Sequence, residues 1–161
     1  MHIFYILLLS LFLAGCGGES EQIIAELEAS GDLPVLDRTD SVAGIDSDNN
    51  GIRDDIDNYI RSTYTDPAQQ AAAKQTAKAT QNIILVDKFD TNKLAKADLE
   101  ETRAIHCASD ISGADGIMFV KLNQEIVSLT TNTKIRLLSY LEFSKAMDGS
   151  VSSFPEGDTC E

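Results

Sequence analysis

The 161-residue chain has no tryptophan, and aromatic residues make up only 6% of it, so any core has to be packed from aliphatic side chains. Basic residues are scarce as well. Thirteen Lys plus Arg stand against 26 Asp plus Glu, a net charge of −13. A polyanion repels phosphate backbones and anionic headgroups, which makes nucleic acid a poor partner. The same acidity keeps a protein in solution, or offers a surface to cations or to a basic protein. No stretch alternates apolar and polar residues as a half-buried strand would, and no segment repeats. What is present is enough for one domain: 43% of residues are hydrophobic, too many for a disordered chain.

The one long apolar run, Ile3 to Leu13 interrupted only by Ser10, lies at the N-terminus. It falls far short of the roughly 20 residues a membrane-spanning helix needs. It suits the apolar region of an export signal, typically about 7–15 residues long. Leu13-Ala14-Gly15-Cys16 follows and resembles the lipobox of bacterial lipoproteins, although only His2 and the terminal amine precede the run as positive groups. The resemblance implies cleavage before Cys16, diacylglycerol on its thiol and acylation of the new amine. On that basis residues 1–15 are a signal peptide, and residues 16–32 carry the lipid and form a polar, flexible tether. Residues 33–161 are then a single helical domain. The anchor would lie in the cell envelope, on the outer membrane facing the periplasm in a Gram-negative cell. Two acyl chains suffice for stable attachment, because each buried methylene contributes about 0.8 kcal/mol.

Export favours disulfides. With Cys16 lipidated, Cys107 and Cys160 remain and are expected to pair, tying down an irregular C-terminal tail. The alternative is a Cys107 thiolate assisted by His106. Sequence neighbours on a helix do not face each other, so His106 is badly placed as its base.

The most informative mature segment runs from Asp46 to Asp57. Counted as a twelve-residue loop, it places side-chain oxygens at positions one, three and five with Asp46, Asp48 and Asn50. Gly51 takes the sharp turn at six, Ile52 can offer its carbonyl at seven, Asp54 stands at nine and Asp57 closes the loop. Calcium takes six to eight hard oxygens and favours carboxylates that offset its charge. The segment resembles an EF-hand loop with Asp in place of the final Glu, as in dockerin modules and thrombospondin type 3 repeats. Those families repeat the loop and this chain has it once. Arg53 stands where an aliphatic residue usually bridges to a second loop, so no paired loop is implied. Calcium is expected as a structural cofactor. The competing reading is an Asx-rich turn that holds no metal. With its lipobox, the chain is also similar to small lipoproteins of Gram-negative bacteria, a resemblance that implies no activity.

The remainder reads as helical, in an all-α, irregular bundle of four or five helices with the calcium loop near its N-terminal end. A first helix is expected from Asp55 to about Thr63. A second is capped by Asp66 and opened by Pro67, with Ala72, Thr76, Ala79, Ile83 and Val86 on its apolar stripe. A third starts at Asp90 or Thr91 and buries Leu94, Ala97, Ala104 and Ile105. A fourth, from Ile117 to about Leu129, turns Ile117, Val120, Ile126 and Leu129 inward. A last helix, capped by Asn132, carries a broad stripe of Ile135, Leu137, Leu138 and Leu141 and stops before Gly149.

Nothing catalytic stands out. Glu100 with Glu101, or Asp54 with Asp55, would supply the carboxylates of an envelope hydrolase, but adjacent carboxylates on a helix usually form a solvated face. The expected function is a calcium-stabilised, membrane-anchored module that binds an as yet undefined protein partner. The alternatives are a periplasmic immunity or inhibitor protein that neutralises a toxin, and a structural envelope component.

Overall fold

The computed structural model describes residues 18–113, 116–153 and 155–161. The expected signal peptide and lipobox, with Cys16, lie outside the described residues, as does the side chain of Ile117. The chain divides after Val35 into two compact units. In the first, α1 spans Gly18–Ser30 and is closed by Ser30, whose hydroxyl donates to the Leu27 carbonyl at 3.0 Å. Most of the expected flexible tether is therefore helical. Gln22 to Ala29 contains neither glycine nor proline, and helix formers such as Glu26, Leu27 and Glu28 outweigh the polarity that suggested a coil.

The second unit contains five helices: α2 (Asp54–Thr63), α3 (Pro67–Leu85), α4 (Thr91–Ser112), α5 (Ile117–Thr130) and α6 (Lys134–Ala146). No strand occurs among the described residues, and the unit is the expected irregular all-α bundle. Two of the helix starts follow from local chemistry. The Asp66 carboxylate accepts from the Gln69 amide at 2.9 Å, ahead of Pro67. The Asp90 carboxylate accepts from the Asn92 and Lys93 amides, each at 3.1 Å. The cap of α6 is Thr133 and not Asn132, whose side chain is turned to the Asp37 carbonyl.

Helix α3 is the hub and touches all four other helices of the unit. Its small residues explain how. Ala72, Ala73 and Ala77 are buried and let neighbours approach closely, with Ile56 and Ile60 of α2 and Leu122 and Ile126 of α5 in the same core. A second apolar cluster joins Ile83, Leu94, Ala97 and Phe143 from α3, α4 and α6. At the end of α3 the Lys88 ammonium donates to the Ile83, Ile84 and Val86 carbonyls at 2.8–3.1 Å, satisfying acceptors the helix leaves open.

One expected position of α5 and the whole expected stripe of α6 face the other way, while Ile126 and Leu129 of α5 pack into the first core as expected. Val120 of α5 is exposed, and Leu122 is buried instead. On α6 the four aliphatics Ile135, Leu137, Leu138 and Leu141 are between 41% and 51% exposed, while Arg136 and Phe143 are buried. The cause is polar. Arg136 carries five N–H donors, and the loop before α2 has carbonyls that only this rotation of α6 brings within reach.

The expected bridge between Cys107 and Cys160 is present, with Cα atoms 4.9 Å apart. Around it the tail is stitched to α3. The Gln75 side-chain amide donates to the Thr159 carbonyl at 2.9 Å and accepts from the Glu161 amide at 3.2 Å. Cys107 is thus not a thiolate nucleophile.

Candidate metal centre

The loop before α2 turns on two left-handed residues, Asn49 (φ 57°) and Gly51 (φ 86°), as an Asn/Gly-rich sequence permits. Its two ends are tied where the Asp54 amide donates to the Ile45 carbonyl at 2.8 Å. Ile52 anchors it below by burying its side chain in the first core.

Within this frame carboxylate oxygens of Asp46, Asp48 and Asp54 lie within 4.8 Å of one another. The backbone aims them. Asp46 accepts from the Asn50 and Gly51 amides at 3.1 and 2.9 Å, and Asp48 accepts from the Asn50 amide at 3.2 Å. Asp54 accepts from the Ser47 hydroxyl at 2.6 Å and the Ser47 amide at 2.9 Å, bonds that hold its carboxyl below the usual carboxylate range. Three carboxylates on one turn can hold a metal ion, and a cation offsets the repulsion among them.

The other expected ligands are placed differently. Asn50 lies between Asp48 and Ile52, donating to the Asp48 carboxylate at 3.0 Å and accepting from the Ile52 amide at 2.8 Å. Asp57, expected to close the ligand set, stands apart. It is buried on α2 and ion-paired to Arg61 one turn on and to Lys74 of α3 at 3.2 Å. Helix α2 begins at Asp54, which carries Asp57 a full turn into the helix and onto the side that packs against α3.

The charged residues that matter most for the loop's position were not legible as a site. Arg53 is completely buried. Its guanidinium grips the Asp55 carboxylate through Nε at 2.9 Å and Nη2 at 2.7 Å. It also donates to the Thr130 and Leu129 carbonyls at 3.0 and 3.3 Å, capping the C-terminus of α5. Asp55 in turn accepts from the Asp37 amide at 2.8 Å. Arg136, equally buried, reaches the Ser41 carbonyl at 3.1 Å and the Asn132 side chain at 2.8 Å, and pairs with Asp37 at 3.3 Å. Burial pushes the Asp37 carboxyl up, but hydrogen bonds from Thr39 and the charges of Arg136 and Arg53 outweigh it, leaving the group below its ordinary range. This two-arginine, two-aspartate network bolts the loop of Asp46, Asp48 and Asp54 to α5 and α6. Gly44 makes room for it. A Cβ there would run into the Arg53 side chain and lie 2.9 Å from the Asp37 carboxylate, and its φ is +68°. Asp37 and Arg136 are 99 residues apart, and no local pattern joins them.

Neither adjacent carboxylate pair is simply the solvated face expected of it. Asp55 is saturated by Arg53. Glu100 accepts from the Asn82 side chain at 2.6 Å, whereas Glu101 stands near Asp98 and Tyr140. Glu101 is no solvated carboxylate. Burial, then the charge of Asp98, pushes it up to about 7. An acid whose folded-state value is raised destabilises the fold as it ionises, so stability should fall as pH rises from about 4.5 to 7. Glu101→Gln should remove that fall and gain on the order of 2 kcal/mol at pH 8, with no gain at pH 4. Urea unfolding at the two pH values checks this, and equal effects at both would refute it.

Comparison of the chain with protein-family models, curated proteins and solved structures returns no match. No described helix is long and apolar enough to cross a membrane.

Proposed function

We propose that the chain is a calcium-stabilised, non-enzymatic protein-binding module, held in the cell envelope by lipid on Cys16. The observation that carries this reading is the convergence of the Asp46, Asp48 and Asp54 carboxylates on one short loop. All three are hard oxygen ligands, with no sulfur or imidazole among them, which suits calcium over zinc or copper. The metal's role is structural, because the Arg53 side chain that follows Ile52 holds up α5. Ordering the loop therefore orders the start of α2 and the end of α5 together. Support for protein binding comes from α6, where Ile135, Leu138 and Leu141 recur every three residues along one exposed side. Apolar surface of that kind on a highly acidic protein is typical of an interaction site. An inhibitor of a basic toxin remains a special case of the same reading.

Calcium at a hundred times its dissociation constant stabilises a folded site by about 2.7 kcal/mol. Thermal unfolding of residues 36–161 should shift upward by several degrees with calcium over chelator, and Asp46→Ala should abolish the shift. Absence of any shift in the parent protein would remove calcium from this reading. The anchor is tested separately. Full-length protein expressed in bacteria should incorporate labelled fatty acid and partition with membranes, and Cys16→Ala should lose both. Soluble, unlabelled parent protein would refute the anchor and leave the metal loop untouched.

A further inference from the structure

Helix α6 faces the bundle with one line of side chains, Arg136, Tyr140, Phe143 and Met147. Arg136 and Phe143 are buried, and Tyr140 and Met147 partly so, packed with Ile83 and Leu94. Alternating steps of four and three residues keep a row of side chains on one side of a helix, the spacing by which helices seat against each other. A second line repeats these steps two residues earlier: Lys134, Leu138, Leu141 and Lys145. Two residues turn a helix by about 200°, so this line runs along the opposite, outer side. Leu138 and Leu141 are 48% and 51% exposed there, and both lysines are exposed. The outer side is thus shaped for a helix as the inner one is.

Its two ends carry charge that the chain leaves uncompensated. Lys74, Lys78, Lys93, Lys96 and Lys121 each pair with a carboxylate, and Lys88 is spent on carbonyls. Lys134 and Lys145 make no ion pair among the described residues, on a chain with 26 Asp plus Glu. The one carboxylate on α6, that of Glu142, lies off the line and toward Lys88. About three turns, or about 16 Å, separate the two lysines, so they bracket the leucines along a single line. Charges beside an apolar helix seam set the choice of partner, and here they call for carboxylates. At physiological salt the Debye length is about 8 Å, so these two lysines outweigh the remote acidity of the chain.

The chain itself does not meet that demand. A second copy laid antiparallel on this line sets Lys134 against Lys145, and one laid parallel sets each lysine against its twin. Residues 1–17 contain no Asp or Glu. Along α1 the same spacing reads Ser20, Ile24, Leu27 and Gly31, with no carboxylate at either end.

We propose that the outer side of α6 docks an amphipathic helix of a partner protein, one with two aliphatics bracketed by carboxylates at the same four-three-four spacing. The aliphatics pack on Leu138 and Leu141, flanked by Ile135 and Leu137, while the carboxylates meet Lys134 and Lys145. Such docking rests on the reading of the chain as a protein-binding module and defines the partner's chemistry.

The probe is a blocked helical peptide on an Ala/Gln background that carries Glu-x3-Leu-x2-Leu-x3-Glu, with a twin in which both Glu are Lys. Each is titrated into isotope-labelled full-length protein carrying Cys16→Ser, and the Leu138 and Leu141 methyls are followed by NMR at about 0.1 M salt. The acidic peptide should give saturable shifts at both residues, with a dissociation constant on the order of 1 mM for so short a seam. The lysine peptide should bind about tenfold more weakly, since two ion pairs of modest worth become two like-charge contacts. In Lys134→Glu with Lys145→Glu, both at exposed positions, the order of the two peptides should reverse while the folded spectrum is kept. Equal binding of the two peptides, or an order the double variant leaves unchanged, would overturn the acidic partner yet leave α6 a protein-binding face. Binding of neither peptide to folded protein would overturn it and also withdraw α6 from the protein-binding reading. Shifts of the two methyls with protein concentration alone would assign the face to a second copy. Their selective broadening by a nitroxide lipid in phosphatidylcholine vesicles would assign it to a membrane, and either result overturns the proposal.

Discussion

Arg53→Met should cost the fold about 3–5 kcal/mol, the range for removing one partner of a buried ion pair. Methionine fills much of the volume, so the loss is one of charge and hydrogen bonds. Asp55 is left without its bidentate partner, and the Leu129 and Thr130 carbonyls at the end of α5 are left open. A hydrophobic substitution that removes the charge at both ends should do better. Arg53→Met with Asp55→Leu recovers part of the loss, since the uncompensated carboxylate is the larger penalty. Gly44→Ala should disturb the same network from the other side, through its left-handed φ and the contact of the new Cβ with Arg53. Urea midpoints of the three proteins decide the matter. A loss below about 1 kcal/mol for Arg53→Met would mean that the buried guanidinium is not the bolt described here. A further consequence follows for the loop. Because Asp54 and Asp55 are adjacent, Arg53→Met should also weaken cation binding at the three aspartates.

Loss of the Cys107–Cys160 bridge should destabilise the protein by about 4 kcal/mol, given a sequence separation of 53 residues. The gain from closing such a loop lies chiefly in the unfolded chain, which the cross-link restrains. The folded state should therefore change little except at the tail. In the Cys107→Ala, Cys160→Ser protein the thermal midpoint should fall by about 10 °C or more. Hydrogen exchange should rise first at Thr159 to Glu161, where the Gln75 bonds and the Lys78–Glu161 pair alone would hold the tail to α3. Reduction of the parent protein with dithiothreitol should give the same midpoint. A difference between reduced parent and double variant would show that the substitutions do more than open the bridge. An unchanged midpoint in both would mean the tail contributes nothing to the core.

How much of this was legible in the chain differs from element to element. Helix starts at Asp66-Pro67 and Asp90-Thr91 are set by a short carboxylate side chain beside open amides, an interaction of two or three residues. So is the Asp46 to Asp54 turn, where Asn49, Gly51 and the flanking carboxylates act within one loop. The pairing of the cysteines needed only their number once the first was set aside. The α6 stripe shows where such reasoning stops. Four aliphatics in a helical period look like a core face, yet they are exposed because Arg136 takes the inward position. Its acceptors, Ser41 and the Asn132 side chain among them, come together only in the folded chain.

The amino-acid sequence by itself determined the five helices of the second unit, the caps at Asp66 and Asp90, the turn that gathers Asp46, Asp48 and Asp54, and the pairing of Cys107 with Cys160, because each depends on groups close along the chain or on simple counting. The tertiary structure alone decided which side of α6 is buried, that Asp57 leaves the ligand group for Arg61 and Lys74, and that Glu101 is driven toward neutrality. It also left the buried Gln81 Oε1 without a hydrogen-bond donor. These outcomes turn on desolvation and on hydrogen-bond partners brought together across tens of residues, and neither quantity exists until the helices have packed.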